Sequence, residues 1–300
     1  MSVSHPSTRA ATRRRRPRLA PAIAKALAAG IAKALAAGIA ASLLPALGVA
    51  AQGAPVTGSA GAVEAGGSAA TAPVAERRKR AWKQVGAEPF NRFDASRWGK
   101  FDGGASCCAD TTWDRSMVTV RGGKLQLHTG PRNGRWLSGG VGGWGWDAAV
   151  RTYGRYDARI RFDRGTGVSA AALLWPSSGP WPPELDFYEI FDSWGDRSRM
   201  QVTTHWRRNG QHEVSQRVVR RDFTRWHTAS VRWRRDRVAY FLDGKRIKVD
   251  TAPARIPRGD MWLGFQTHAH KRNGRYVPLP SGRRSVALEV DWVKVYRRNA

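Results

Sequence analysis

Beyond residue 80 the chain alternates apolar and polar side chains with a period of two. "KLQLHT" (124–129), "YDARIRF" (156–162) and "SVALEVDWVKVY" (285–296) each place apolar residues on one face and polar residues on the other, as half-buried strands do. In "RVAYFLDGKRIKV" (237–249) two β-prone runs flank Asp243-Gly244, which predicts a hairpin. Gly, Pro and Asn turn signals recur at the spacing of about ten residues expected for short antiparallel strands. No long helical period follows the N-terminal segment. The pattern predicts one all-β domain over residues 82–300, a sandwich or a barrel.

The N-terminal part reads differently. Residues 1–51 have the pattern of a signal peptide: a basic run at Arg13 to Arg16, an apolar stretch, and small residues at Val49, Ala50 and Ala51. The apolar stretch contains a tandem "IAKALAAG" (23–30 and 31–38), which sets Lys25 and Lys33 among apolar neighbours. An uncleaved membrane anchor is the competing reading. Residues 52–81 are an Ala/Gly-rich linker closed by the basic run of "ERRKRAW" (76–82), with little to bury.

Composition adds a core and a charge. The 300 residues are 41% hydrophobic and include 14 Trp, enough for a large sandwich core or for ring-stacking surfaces. The formal net charge is +28. The first fifty residues carry eight basic groups and no acid, so +20 remains without them. Such a field favours polyanionic partners. An equally good reading is Arg spread over solvated strand faces, as in "ARIRF" (158–162) and "VRWRRDRV" (231–238). The two cysteines, Cys107 and Cys108, are adjacent, and a bridge between neighbours is strained. No zinc-ligand or CxxC spacing occurs.

The chemistry concentrates in "WPPELDFYEIFDSWGD", Trp181 to Asp196. Its acids Glu184, Asp186 and Glu189 are spaced E-x-D-x-x-E. On a regular strand Glu184 and Asp186 share a face and Glu189 points away. On a helix Glu184 and Glu189 stand roughly 140° apart. Two plain readings are a helix opened by Pro182-Pro183 and a charged solvated strand. The first conflicts with the all-β surroundings, and Leu185, Phe187, Tyr188, Ile190 and Phe191 leave little polar face for the second. One extra residue between Asp186 and Glu189, a β-bulge, returns all three acids to one face. Crowded carboxylates cannot all ionise freely. At least one is held protonated, which suits a general acid beside a nucleophile, as in a retaining glycosidase.

E-L-D-F-Y-E in this setting resembles the catalytic strand of glycoside hydrolase family 16. The resemblance runs from about residue 88 to 297: "EPFNRFDASRW" (88–98), "YGRYDARIRF" (153–162), "AALLWP" (171–176), "TTHW" (203–206), "RWHTASVRWRRDRVAYFLDGKRI" (225–247) and "LEVDWVKVY" (288–296) follow in the family's order. It implies a concanavalin A-like jelly-roll β-sandwich with a concave substrate cleft. It also implies Glu184 as nucleophile, Asp186 as the carboxylate that tunes it, and Glu189 as acid/base. The bulged spacing resembles the branch of laminarinases, agarases and carrageenases.

By the same mapping, His205 and the rings of Trp144, Trp146, Trp175, Trp181 and Trp194 line the cleft and bind substrate. Trp233 and Trp292 read as core, and "GGVGGWGW" (139–146) as a mobile cleft loop. Asp291 falls where the family often holds a structural calcium, and no cofactor is implied for catalysis. The expectation is a secreted, monomeric endo-β-glycan hydrolase of laminarinase type acting on a polysaccharide, with no specific nucleic acid as partner. The alternatives are an enzyme of anionic galactans, a lectin-like sandwich and a polyanion binder.

Overall fold

The computed structural model describes residues 82–104 and 110–299. The segments read as signal peptide or anchor and as linker, and Cys107 and Cys108, lie outside the described residues. In chain order the strands are β1 (Trp82–Glu88), β2 (Gly99–Lys100), β3 (Thr112–Trp113), β4 (Val118–Arg121), β5 (Lys124–Arg132), β6 (Arg135–Ser138), β7 (Gly140–Gly142), β8 (Gly154–Phe162), β9 (Val168–Pro176) and β10 (Glu184–Ile190). They continue with β11 (Arg199–Arg208), β12 (Gln211–Arg220), β13 (His227–Arg234), β14 (Arg237–Leu242), β15 (Lys245–Asp250), β16 (Met261–Ala269), β17 (Lys271–Arg272), β18 (Arg275–Tyr276) and β19 (Val286–Arg298). Among the described residues no helix is long and apolar enough to cross a membrane.

Two large sheets pack face to face as a sandwich, one of the two forms that the alternation predicts, with the jelly-roll order that the resemblance implies. One runs β15-β14-β13-β8-β19-β5-β6-β3, with β1 added on β19 and β4 on β5. The other, which carries the acids, runs β12-β11-β10-β9-β16-β7-β2. Asp243 and Gly244 both have positive φ, 48° and 79°, and form the predicted two-residue turn between β14 and β15.

The core fills the space between the sheets. Tyr156, Ala158, Ile160 and Phe162 of β8 meet Ala170, Ala172 and Leu174 of β9, Leu185 of β10 and Val202 of β11 in one buried cluster. Trp233 lies within it, as read from the sequence. β9, "VSAAALLWP", reads as nearly continuous apolar residues because it is covered twice. Ala170, Ala172 and Leu174 face the main core, while Ala171, Leu173 and Trp175 belong to a second cluster with Phe101, Trp113 and Trp262.

Arg197 ties down the segment that follows β10. Its buried guanidinium donates to the carbonyls of Asp163 (2.7 Å), Gly165 (2.7 Å), Val168 (3.0 Å) and Trp194 (3.3 Å). It also lies 3.7 Å from the centroid of the Phe162 ring. Burial pulls its pKa down to about 10, so it stays charged at neutral pH.

Candidate active site

The strand that carries the acids is not regular. Asp186 pairs with Thr203 of β11, but Glu189 pairs with Gln201, so three steps on β10 match two on its neighbour. Toward β9, Asp186 pairs with Leu173 and Tyr188 with Ala172, which again absorbs one residue. This is the bulge that the spacing predicts. Phe187 and Tyr188 both turn into the main core, with no measurable exposure. Glu184, Asp186 and Glu189 therefore share the face opposite the core, opposed on β11 by His205, Thr203 and Gln201. Their floor on β9 is small or apolar, Leu173 and Ala171, and it continues to Gly264 and Gln266 of β16.

Burial sets the electrostatics. Glu184 and Asp186 are 0% and 1% exposed, whereas Glu189 keeps a partly open side chain. Desolvation is the main cause that pushes all three carboxyls above their ordinary range. Asp186 raises Glu184 further, and Glu189 raises Asp186 further. Hydrogen bonds oppose this. Trp181 Nε1 donates to Glu184 Oε2 at 2.7 Å, and Thr203 Oγ1 donates to Glu189 Oε2 at 2.6 Å. Gln201 Nε2 in turn donates to Thr203 Oγ1 at 3.1 Å. The other oxygen of Glu184, Oε1, has no hydrogen-bond partner.

His205 completes the cluster, with Nε2 2.9 Å from Asp186 Oδ2. Glu184, Asp186 and His205 bring ligand-type atoms within 4.8 Å of one another, the one grouping of three such side chains among the described residues. The 2.9 Å contact is an ion-pair distance only, since neither His205 Nε2 nor Asp186 Oδ2 has a hydrogen-bond partner.

Aromatic rings flank this row. Trp175 and Trp181 lie nearly parallel, 17° apart with centroids 6.4 Å apart. Trp144 stacks on Phe101 at 5.9 Å and 8°, and meets Trp262 edge-on at 5.5 Å. The indole of Trp144 lies so close over Gly99 and Gly142 that a Cβ at either position falls 1.9 or 2.1 Å from a ring carbon. "GGVGGWGW" is thus not a mobile loop. Its first half forms buried strand β7, whose glycines make room for Trp144 and Phe101.

Further expectations are corrected. Trp146 is 5% exposed and packs on Trp98 in the main core. Trp194 packs edge-on to Phe191 and against the main core, outside the aromatic cluster of the acid-bearing face. Trp146 therefore offers no open platform, and neither does Trp175, which is also 5% exposed. The Asp291 carboxylate is held by Arg159 at 2.6 Å, and no grouping of metal-ligating side chains includes it among the described residues. These residues do not fit a calcium site.

A family model, Glycosyl hydrolases family 16, matches residues 109–271, more than half of the chain and the whole of the acid-bearing strand. The chain belongs to glycosyl hydrolase family 16. A β-glucanase of Acetivibrio thermocellus is 25% identical over 223 residues, 69% of this chain and 61% of that protein. The chain thus spans about 61% of the length of that curated relative. The β-glucanase of Bacillus licheniformis superposes with a TM-score of 0.59 at 20% identity, covering 72% of this chain and 100% of that one. The endo-β-1,3-glucanase of Pyrococcus furiosus gives 0.60 at 15% identity, over 73% of this chain and 95% of that one. These two likenesses establish the jelly-roll fold.

Within this family 16 chain, sequence reading missed His212, Thr203 and Gln201. His212 Nε2 lies 2.8 Å from His205 Nδ1. A signal for it exists. Asn209-Gly210 is a two-residue hairpin turn, with φ of 49° and 78°, and it fixes the register in which Arg207 opposes His212 and His205 opposes Val214. Counting back by twos puts His205 and His212 on one face.

Proposed function

We propose that this protein is a retaining endo-β-glucanase of the β-1,3-cleaving, laminarinase type, acting outside the cell as a monomer. The observation that carries the reading is the bulge, which sets Glu184, Asp186 and Glu189 on one face beside a row of Trp rings. Support for the substrate class comes from the β-glucanases among its relatives and from the spaced E-x-D-x-x-E motif. Support for export is the basic-then-apolar pattern of residues 1–51.

Glu184 is the nucleophile. Its unpartnered Oε1 attacks the anomeric carbon, while Trp181 holds Oε2. Glu189, partly open to solvent and raised by burial, donates its proton to the departing glycosidic oxygen. The sugar is then an ester of Glu184. Glu189, now ionised, takes a proton from water as the water attacks the same carbon, so the anomeric configuration is retained. Asp186 sits between the two and buffers the charge that moves from Glu184 to Glu189. The sugar rings lie against the partly open Trp181 and Trp144 through their C–H faces.

The test is reducing-end release from laminarin, lichenan, agarose and carrageenan by the wild type, Glu184→Gln and Glu189→Gln. Activity on laminarin that both variants lose supports the reading. Activity confined to agarose or carrageenan moves the substrate to galactans. Full activity in either variant refutes the assigned roles.

A further inference from the structure

Three atoms of the acid-bearing face converge with nothing to bond to. Glu184 Oε1, Asp186 Oδ2 and His205 Nε2 are each buried without a hydrogen-bond partner. All three side chains are more than nine-tenths buried. One ligand-type atom from each lies within 4.8 Å of the others, and Asp186 Oδ2 and His205 Nε2 are 2.9 Å apart. A buried polar atom without a partner is costly, and three gathered at one point call for a partner they share. The charges that act most on Glu184 are those of Asp186, His205 and Glu189, and among the described residues no Lys or Arg pairs with this row.

His205 is turned to serve as a ligand. Its Nδ1 lies 2.8 Å from His212 Nε2, and a single proton fits between the two nitrogens. With that proton on His205, Nδ1–H donates to His212, and Nε2 presents a bare lone pair to Asp186. Lone pairs that face each other at 2.9 Å repel, unless a cation lies between them. The other tautomer places a proton on Nε2, yet no hydrogen bond joins Nε2 to Asp186. The first arrangement is that of a metal-ligating histidine, whose second nitrogen donates to an acceptor and so fixes the ring. Burial, His205 and Arg207 oppose a positive charge on His212, so a neutral ring is there to accept. Trp181 does the same for Glu184, holding Oε2 at 2.7 Å and leaving Oε1 free.

We propose that Glu184, Asp186 and His205 bind one divalent cation of the zinc type, and that the bound ion blocks the enzyme by taking Oε1 of Glu184. One imidazole and two carboxylates suit zinc, which holds nitrogen at about 2.0–2.1 Å and oxygen at about 2.0–2.2 Å in a tetrahedron. Ligand atoms on such an ion stand about 3.3 Å apart, a span the three side chains reach by small turns of their broad terminal torsions. Two carboxylates balance the charge of the ion, which removes the repulsion between them. The ion enters from the cleft, where Glu189 and Trp181 keep partly open side chains. Calcium and magnesium, which take six or more oxygen ligands, are poorly matched to this set. His212 is a positioning residue here, acting through His205. The site stands on the geometry alone, whereas the block rests on the reading of Glu184 as nucleophile.

The test is calorimetric titration of Zn²⁺ into the protein without glycan, joined to nitrogen NMR of its histidines and to glycan hydrolysis. One zinc per chain is expected, which Mg²⁺ and Ca²⁺ do not displace. Zinc shifts the His205 Nε2 resonance and leaves the Nδ1 proton in place. Glu184→Gln, Asp186→Asn and His205→Gln each weaken binding by about a hundredfold or more, and His212→Leu by about tenfold, the scale of an outer partner to a ligating histidine. His212→Gln, whose amide oxygen accepts, recovers most of that loss. Hydrolysis falls over the same zinc range as binding and returns with EDTA. No zinc uptake, a His205 resonance that zinc does not move, or binding that survives all three ligand variants overturns the site. Binding lost in the Cys107→Ser, Cys108→Ser double variant overturns it too, since the ion then sits on thiols. If a ligand variant does not fold, the wild-type nitrogen spectra decide. Calorimetry and NMR need no turnover. Zinc binding by a protein inactive on every glycan leaves the site standing and sinks the hydrolase reading, and an active enzyme that saturating zinc does not slow sinks the block.

Discussion

Trp181 holds one oxygen of Glu184 through a 2.7 Å indole N–H bond and leaves the other without a partner. The bond favours the ionised form of a carboxyl that burial pushes the other way. Trp181→Phe keeps an aromatic ring and removes the donor. The Glu184 pKa then rises further, so the acid limb of the pH–rate profile moves to higher pH. A loss of kcat of about tenfold is expected at neutral pH, the scale of one hydrogen bond to a charged group. Steady-state kinetics across pH checks it.

The same raised carboxyls make the wild-type profile a bell set above the usual carboxylate range. In the proposed mechanism Glu184 acts ionised, so activity falls as pH drops through its pKa, and Glu189 acts protonated, so activity falls as pH climbs through its own. Both are raised, chiefly by burial, and the limbs report apparent values of the interacting group rather than of single residues.

The acids also act on stability. A carboxyl whose folded pKa exceeds its unfolded value binds more protons when folded, so stability falls as pH rises from the unfolded value through the folded one. Asp186→Asn removes that penalty. The variant is expected to gain about 1 kcal/mol of stability at pH 7.5, and little or nothing at pH 4, while losing activity. Urea denaturation at the two pH values measures the difference.

Arg197 makes a prediction of the opposite sign. Its replacement by Met removes the guanidinium donor from the carbonyls of Asp163, Gly165 and Val168, while the Trp194 carbonyl keeps the backbone N–H of residue 197. A cost above about 3 kcal/mol is expected, since each unmet buried acceptor costs about 1–3 kcal/mol. Arg197→Lys recovers part of it, because one ammonium on a flexible stem cannot reach all three carbonyls. Equilibrium unfolding separates the two variants.

How far the sequence carried depended on where strands break their period. "ELDFYE" announced its bulge because a broken alternation of acids is conspicuous. β19 carries the same device unannounced. Its register shifts between Val290 and Trp292, so Val293 and Val295 enter the core and Trp292 lies outside with Lys294 over its ring. A period of two carried from Leu288 and Val290 puts Trp292 inside, which is why it reads as core. Trp144 and Trp146 fail for a related reason. Two residues apart they share a face on a strand, but 143–150 is a chain of turns, with Trp146 N bonded to Gly143 O and Ala149 N to Trp146 O. Trp144 therefore packs against the cluster of Phe101 and Trp262, and Trp146 enters the main core. The hydrophobic pattern was enough for an all-β sandwich or barrel, the broken acid spacing for the acid row, and the family resemblance for the jelly roll. The corrections fall where a single inserted residue or a turn reverses the facing of a large side chain.

The most direct test of double displacement is the anomeric form of the first product released from laminarin, followed by proton NMR before mutarotation. The account predicts that the β configuration appears first and that a 2-fluoro glycoside substrate leaves its label on the Glu184 peptide. First release of the α anomer, or a label carried by Glu189, contradicts it.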